Sequence, residues 1–173
     1  MKNLLVYYRI VSYLLVGIAV LLCFVDLMAV IIGLSQPPAL ISAFILAAVI
    51  IYSFASFSFL LNGIQNGRQC KPKLKDWIKV NAYVAIVFGA LLLMQNISVL
   101  ASPANLNAVL QQMNQMQAQM KMPGATAQAM MGTFKAVLYA LIVYSLLLLS
   151  HIYISLRLVK QYAHLFGERD PQE

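Results

Sequence analysis

Charge is what this sequence has least of. Only 10% of its 173 residues are charged, and acids are the scarcer sign, with five Asp and Glu against 12 Lys and Arg. A soluble domain of this length covers its surface with roughly a quarter charged residues, so a water-facing exterior is excluded. Cysteine is nearly absent. Cys23 lies in an apolar run and Cys70 in a basic stretch, positions that fall far apart across a bilayer, which excludes a disulfide framework. Two histidines and no clustered acids leave little for metal or acid–base chemistry. No glycine-rich phosphate loop, Ser/His/Asp order or metal-ligand spacing occurs either.

What is there is grease. Hydrophobic residues make up 62% of the chain, and the mean hydropathy is +0.80. Four runs are long enough to cross about 30 Å of hydrocarbon at about 20 helical residues each. They lie at about 10–34, 38–61, 77–100 and 134–158. None alternates polar and apolar residues as a barrel strand does, so the expected fold is all-α, a polytopic four-transmembrane-helix bundle forming a single membrane domain over 1–173. Ser35-Gln36-Pro37-Pro38 is a tight break whose prolines suit the start of a helix, making the first two spans a hairpin. Lys2 and Arg9 precede an apolar run too long for a cleaved leader, which reads as a retained signal-anchor.

The net charge of +7 is explained by topology rather than by nucleic acid, because the basic residues flank apolar runs and form no recognition stripe. Lys2, Arg9, Arg68, Lys71, Lys73, Lys75, Lys79, Arg157, Lys160 and Arg169 fall on one side of the membrane; Lys121 and Lys135 fall on the other. That bias puts both termini in the cytoplasm and argues against dual-topology exporters, whose loops carry balanced charge. Tyr7, Tyr8, Trp77 and Tyr162 flank the inner ends as interfacial aromatics. A prokaryotic inner membrane is the simplest location.

Sliding the sequence by 70 residues aligns Leu4 with Leu74, Tyr7 with Trp77, Arg9 with Lys79, Tyr13 with Tyr83 and Asp26 with Asn96. A shift of 92 brings Ala48, Ile50, Tyr52, Ser53 and Ser58 onto Ala140, Ile142, Tyr144, Ser145 and Ser150. The pattern suggests two parallel hairpin repeats, the second carrying a 22-residue insertion. Within that insertion Ser102-Pro103 is a helix start and Pro123-Gly124 a stop. Leu106, Val109, Met113, Met116 and Met120 form an apolar stripe between them, on a helix expected over about 103–122. The other faces carry Asn and Gln. The stripe reads as an extracytoplasmic amphipathic helix that contacts protein rather than anionic lipid, since lysines are missing from it.

Few residues can carry chemistry. Asp26 is the one acid at hydrocarbon depth, where Gln95, Asn96 and Tyr144 lie at a similar level; the four form a candidate intramembrane polar cluster. It reads either as a proton or cation site or as a helix–helix hydrogen bond. His151 and His164 are too distant on one helix to ligate one haem, and His151 is expected to bond a neighbouring helix near Ser58 or Tyr83. Met113, Met116, Met120 and Met122 could hold Cu(I), although amphipathicity explains their spacing fully. Asn62-Gly63-Ile64-Gln65-Asn66-Gly67 reads as a loop. After Leu158 the chain reads as a cytoplasmic extension of the fourth span that Gly167 terminates, with Glu168–Glu173 frayed.

Small residues at Ala39, Ala43 and Ala47, at Ala85 and Gly89, and at Ala136 and Ala140 make ridges for close helix packing, and Ser53, Ser56 and Ser58 are candidates for bonds between helices. Tetraspanin-like and claudin-like proteins share four helices and internal ends, but their outer cysteine motifs are missing here. A quinone-linked thiol oxidase is excluded for the same reason. Three functions stay open: a non-enzymatic scaffold or accessory subunit that binds membrane proteins or itself, with no cofactor; a small proton- or cation-linked transporter or channel using Asp26; and Cu(I) handling by the outer methionines.

Overall fold

In the computed structural model, residues 2–35, 37–120 and 127–167 are described. Among them there are no strands, and nearly all of them lie in helices. The helices run α1 Lys2–Gly33, α2 Pro37–Ser58, α3 Pro72–Ala101, α4 Pro103–Met120 and α5 Ala127–Gln161. A π-helical segment, Phe59–Gln65, extends α2, and a 3₁₀ turn, Ala163–Phe166, follows α5. Segments Asn3–Gly33, Leu40–Gln65, Pro72–Ala101 and Met131–Gln161 are each long and apolar enough to cross a membrane, so this is an integral membrane protein.

The chain forms two compact units: Met1–Phe88 with Leu147–Glu173, and Gly89–Leu146. In the first unit α1 and α2 pack as the expected hairpin. Leu34 and Ser35 close α1 by donating to Val30 and Ile32, and Pro37 opens α2 after a single intervening residue. The hairpin is tight because residue 33 is glycine: a Cβ there would lie 2.7 Å from Leu40 Cδ2 and 3.2 Å from its backbone nitrogen. Tyr8, Val11, Leu15 and Ala19 recur at helical spacing on the buried face of α1. Facing the same interior are Val49, Tyr52 and Phe59 from the α2 arm, Ile78, Ala82 and Ala85 from α3, and Leu148, Ile152, Leu158 and Val159 from α5.

Two local expectations are corrected at the basic end of this unit. Asn62, Gly63, Ile64 and Gln65 belong to the π-helical segment rather than to a loop; the turn begins only at Asn66. There the Asn66 amide reaches back to Leu61 O at 3.2 Å, Arg68 to Asn62 O at 2.9 Å, and Gly67 takes a left-handed φ of 61°. The widened turn gives Gly63 a place between Phe59 and Cys70 Sγ, which a Cβ would meet at 3.0 and 3.2 Å. The second correction concerns the tail. Helix α5 stops at Gln161, and the 3₁₀ turn folds back, so that Leu165 O accepts from the Cys70 amide at 2.7 Å and Phe166 stacks on Phe59 at 5.1 Å. Gly167 is extended, with φ −65° and ψ 149°, and not a left-handed helix cap. Burying Phe166 outweighs prolonging a helix into water.

The second unit holds the remainder of α3, α4 and the start of α5. Ser102 caps α4 as expected, its Oγ accepting from the Asn105 amide at 3.4 Å while its carbonyl accepts from Leu106 at 3.0 Å. Leu106 and Val109 are half-buried; the side chains of Met113, Met116 and Met120, the Pro123-Gly124 stop with Met122 and Lys121, and Glu168–Glu173 lie outside the described residues. Ala43, Ala85 and Gly89 are buried and Ala47 is half-buried, whereas Ala136 and Ala140 are exposed; the side chain of Ala39 lies outside the described residues.

Candidate functional site

Three greasy helices of the first unit bring polar side chains to one point. Tyr8 and Ser12 stand one turn apart on α1, Tyr52, Ser53 and Ser56 on α2, and His151 and Ser155 one turn apart on α5. All seven are buried, Tyr8, Tyr52, His151 and Ser155 completely. Leaving such groups unpaired in hydrocarbon costs several kcal/mol, on the order of 2–7 for an amide or hydroxyl, so the geometry is governed by satisfaction.

The direction of each hydrogen bond can be deduced. Ser12 Oγ has one proton, and it goes to Tyr8 O at 2.7 Å. Ser12 Oγ must therefore accept from His151 Nε2, 2.8 Å away. That places the ring proton on Nε2 and leaves Nδ1 as an acceptor, which Tyr52 Oη fills by donating at 2.8 Å. The imidazole is held flat against the Tyr8 ring, with centroids 4.6 Å apart and planes within 9°, while Tyr52 meets its edge at 77°. Tyr8 Oη donates to Ser56 O at 3.3 Å and lies 3.3 Å from Ser155 Oγ. At the rim Ser150 Oγ donates to Leu147 O, so Tyr7 Oη donates to Ser150 Oγ at 2.8 Å.

His151 thus bonds neighbouring helices as its position implied, but through Ser12 and Tyr52. Tyr83 is 64% exposed, and Ser58 is engaged with Asn62 instead. The hydroxyl protons of Ser53 and Ser56 stay within α2, and Ser56 meets α1 only through its carbonyl, which accepts from Tyr8 Oη. Ser53 Oγ donates to Val49 O and Ser56 Oγ to Ser53 O, the local back-bonds that satisfy a hydroxyl without a partner helix. A catalytic serine needs a histidine that accepts its proton; here the bond runs the other way, from Nε2–H to Ser12.

Of the other candidates, Asp26 lies in the first unit, whereas Gln95, Asn96 and Tyr144 lie in the second. Asn96 is buried and spends its amide on Leu92 O at 2.6 Å, Gln95 is exposed, and Tyr144 is half-buried. Asp26 Oδ1 is shielded from outside and has no hydrogen-bond partner among the described residues. Among those residues no three His, Cys, Asp or Glu side chains gather as metal ligands. Tyr8, Ser12 and Tyr52 were not singled out as partners of His151 from sequence, although Tyr8/Ser12 and His151/Ser155 are polar pairs at a spacing of one turn. No protein-family model, curated protein or solved structure matches the chain significantly.

Proposed function

We propose that the protein is a non-enzymatic scaffold or accessory subunit of a prokaryotic inner membrane, with both termini cytoplasmic, that binds other membrane proteins or copies of itself. The observation that carries this reading is the saturation of His151. Both ring nitrogens of the buried histidine are taken up by side chains of its own fold, and the chain of donors ends on a backbone carbonyl. Such a network fixes the rotation of three helices and spends its chemistry doing so. Partner contact is left to the lipid-level faces and to the amphipathic stripe Leu106, Val109, Met113, Met116 and Met120 on the outer helix. The test is purification from the native membrane into nanodiscs: a defined oligomer or a stoichiometric co-purifying chain is expected, and a strict monomer with no companion overturns the reading.

One observation favours a second reading. Asp26 Oδ1, at hydrocarbon depth and without a donor among the described residues, suits a proton- or cation-linked role. Flux measured in proteoliposomes distinguishes the two. Proton- or cation-coupled transport that Asp26→Asn abolishes would favour the transporter, while Asp26→Asn that instead weakens assembly supports the scaffold.

A further inference from the structure

The basic end of the first unit holds a cavity of about 670 Å³ lined by Ser58, Asn62, Arg68, Gln69, Cys70, Lys71 and Leu74. Its wall is the π-helical segment on one side and the N-terminus of α3 on the other. Arg68 and Lys71 supply cationic donors. Ser58 Oγ accepts from Asn62 Nδ2 at 3.2 Å, which leaves the serine O–H to donate. Helix α3 compounds the positive potential, for its first turn contains no acid and carries Lys73 and Lys75 at the positive end of its dipole. Against Arg68, Lys71, Lys73, Lys75 and Lys79 this segment sets a single acid, Asp76. Cations crowded on a helix N-terminus repel one another and the dipole, and an anion relieves both.

A second cavity of about 380 Å³ is lined by Ile51, Asp76, Trp77, Val80 and Asn81. Ile51 lies two turns from Ser58 along α2, and Trp77 and Asn81 lie one and two turns from Leu74 along α3, so both cavities belong to one α2–α3 crevice, about 10 Å apart. The upper one is cationic and hydrogen-bonding. Its neighbour sets Ile51, Val80 and the interfacial Trp77 beside the polar Asp76 and Asn81. An acyl chain therefore has an apolar wall on the Ile51, Trp77 and Val80 side, and the Asp76 carboxylate favours seating the phosphate in the upper cavity rather than here. A phosphate group with a hydrocarbon chain below it matches that order; a free phosphate uses only the upper part.

We infer that this crevice is a binding site for one anionic phospholipid, its phosphodiester held by Ser58, Asn62, Arg68 and Lys71 and an acyl chain laid past Trp77 and Val80. The site is independent of the partner-binding reading. The test is native mass spectrometry of the purified full chain with phosphatidylglycerol, with phosphatidylcholine of the same acyl chains, and with inorganic phosphate alone. One retained phosphatidylglycerol per chain is expected, with phosphatidylcholine lost. At about fivefold per basic side chain near a membrane surface, Arg68→Gln with Lys71→Gln lowers phosphatidylglycerol affinity roughly thirtyfold, whereas Lys135→Gln changes nothing. Both side chains are exposed, so the double variant keeps its thermal unfolding midpoint. Val80→Trp fills the lower cavity and weakens phosphatidylglycerol binding without touching inorganic phosphate. Equal retention of both lipids, or retention unchanged by the double variant, overturns the site. Inorganic phosphate that binds while Val80→Trp leaves phosphatidylglycerol unaffected overturns the lipid assignment.

Discussion

Ser12 Oγ and His151 Nε2 lie 2.8 Å apart across α1 and α5, and because Ser12 gives its only proton to Tyr8 O, the histidine is the donor. This relationship makes the imidazole a two-ended strut, tied to α1 at one nitrogen and to α2 at the other. Tyr52→Phe leaves Nδ1 without a donor and Ser12→Ala leaves Nε2–H without an acceptor. Each is expected to destabilise the fold by between about 0.6 and 1.7 kcal/mol, the range for hydrogen bonds between membrane helices. Both changes act through one ring, so the double variant loses less than the sum. Unfolding in mixed micelles measures the cycle; strictly additive losses would separate the two bonds.

Gly63 is expected to resist substitution through space and Gly67 through backbone. At residue 63 a Cβ meets the Phe59 ring on one side and Cys70 Sγ on the other, and neither can retreat, because Phe59 is stacked on Phe166 and Cys70 is tied to Leu165. Gly63→Ala should cost about 1–3 kcal/mol as an overpacked site. Gly67 has open space around it and a φ of 61°, so Gly67→Ala costs about 1–2 kcal/mol from left-handed strain alone. Thermal unfolding of both variants checks this, and the separating measurement is Phe166→Ala, which should soften Gly63→Ala and leave Gly67→Ala unchanged.

The four spans were legible because hydrocarbon imposes a length and an apolar composition that no other environment demands together. The Pro37 start and the Ser102 cap were legible for a similar reason, being set by backbone chemistry at single positions. The π-helical segment was not. Its shifted hydrogen bonds leave no mark in composition, and Asn62-Gly63 with Asn66-Gly67 looks like any turn. The partners of His151 were hidden more deeply, since Ser12 and Tyr52 reach it only through the relative rotation of three helices. The tail misled because Val159, Tyr162, Leu165 and Phe166 keep a helical spacing, while the pull that bends them comes from Phe59, about a hundred residues earlier in the chain.

Cys70 is a buried thiol, and burial pushes its pKa up. Modification requires the thiolate, so an alkylating reagent is expected to react slowly near neutral pH and faster as pH rises. Phe166→Ala should speed the reaction by uncovering the site. The folded thiol holds its proton to higher pH than the unfolded one, so its contribution to stability is constant below the usual thiol range and falls as pH rises through it. Following alkylation against pH in Cys23→Ser protein isolates Cys70; a rate as fast as that of a free thiol would contradict the burial.

The proposed orientation, with the basic ends of the spans in the cytoplasm, makes the sharpest prediction for the cell. Gln69 and Gln112 are both exposed, the first in the basic connection before α3 and the second on α4. If the basic ends of the spans face the cytoplasm, the two lie on opposite sides, because α3 crosses the membrane between them. In a Cys23→Ser, Cys70→Ser background, Gln112→Cys is expected to react with an impermeant maleimide on intact cells, and Gln69→Cys only after permeabilisation. Reaction of Gln69→Cys first would invert the orientation and carry the basic crevice to the outer leaflet. Reaction of both together would mean that α3 does not span the bilayer, and the four-span reading would fall.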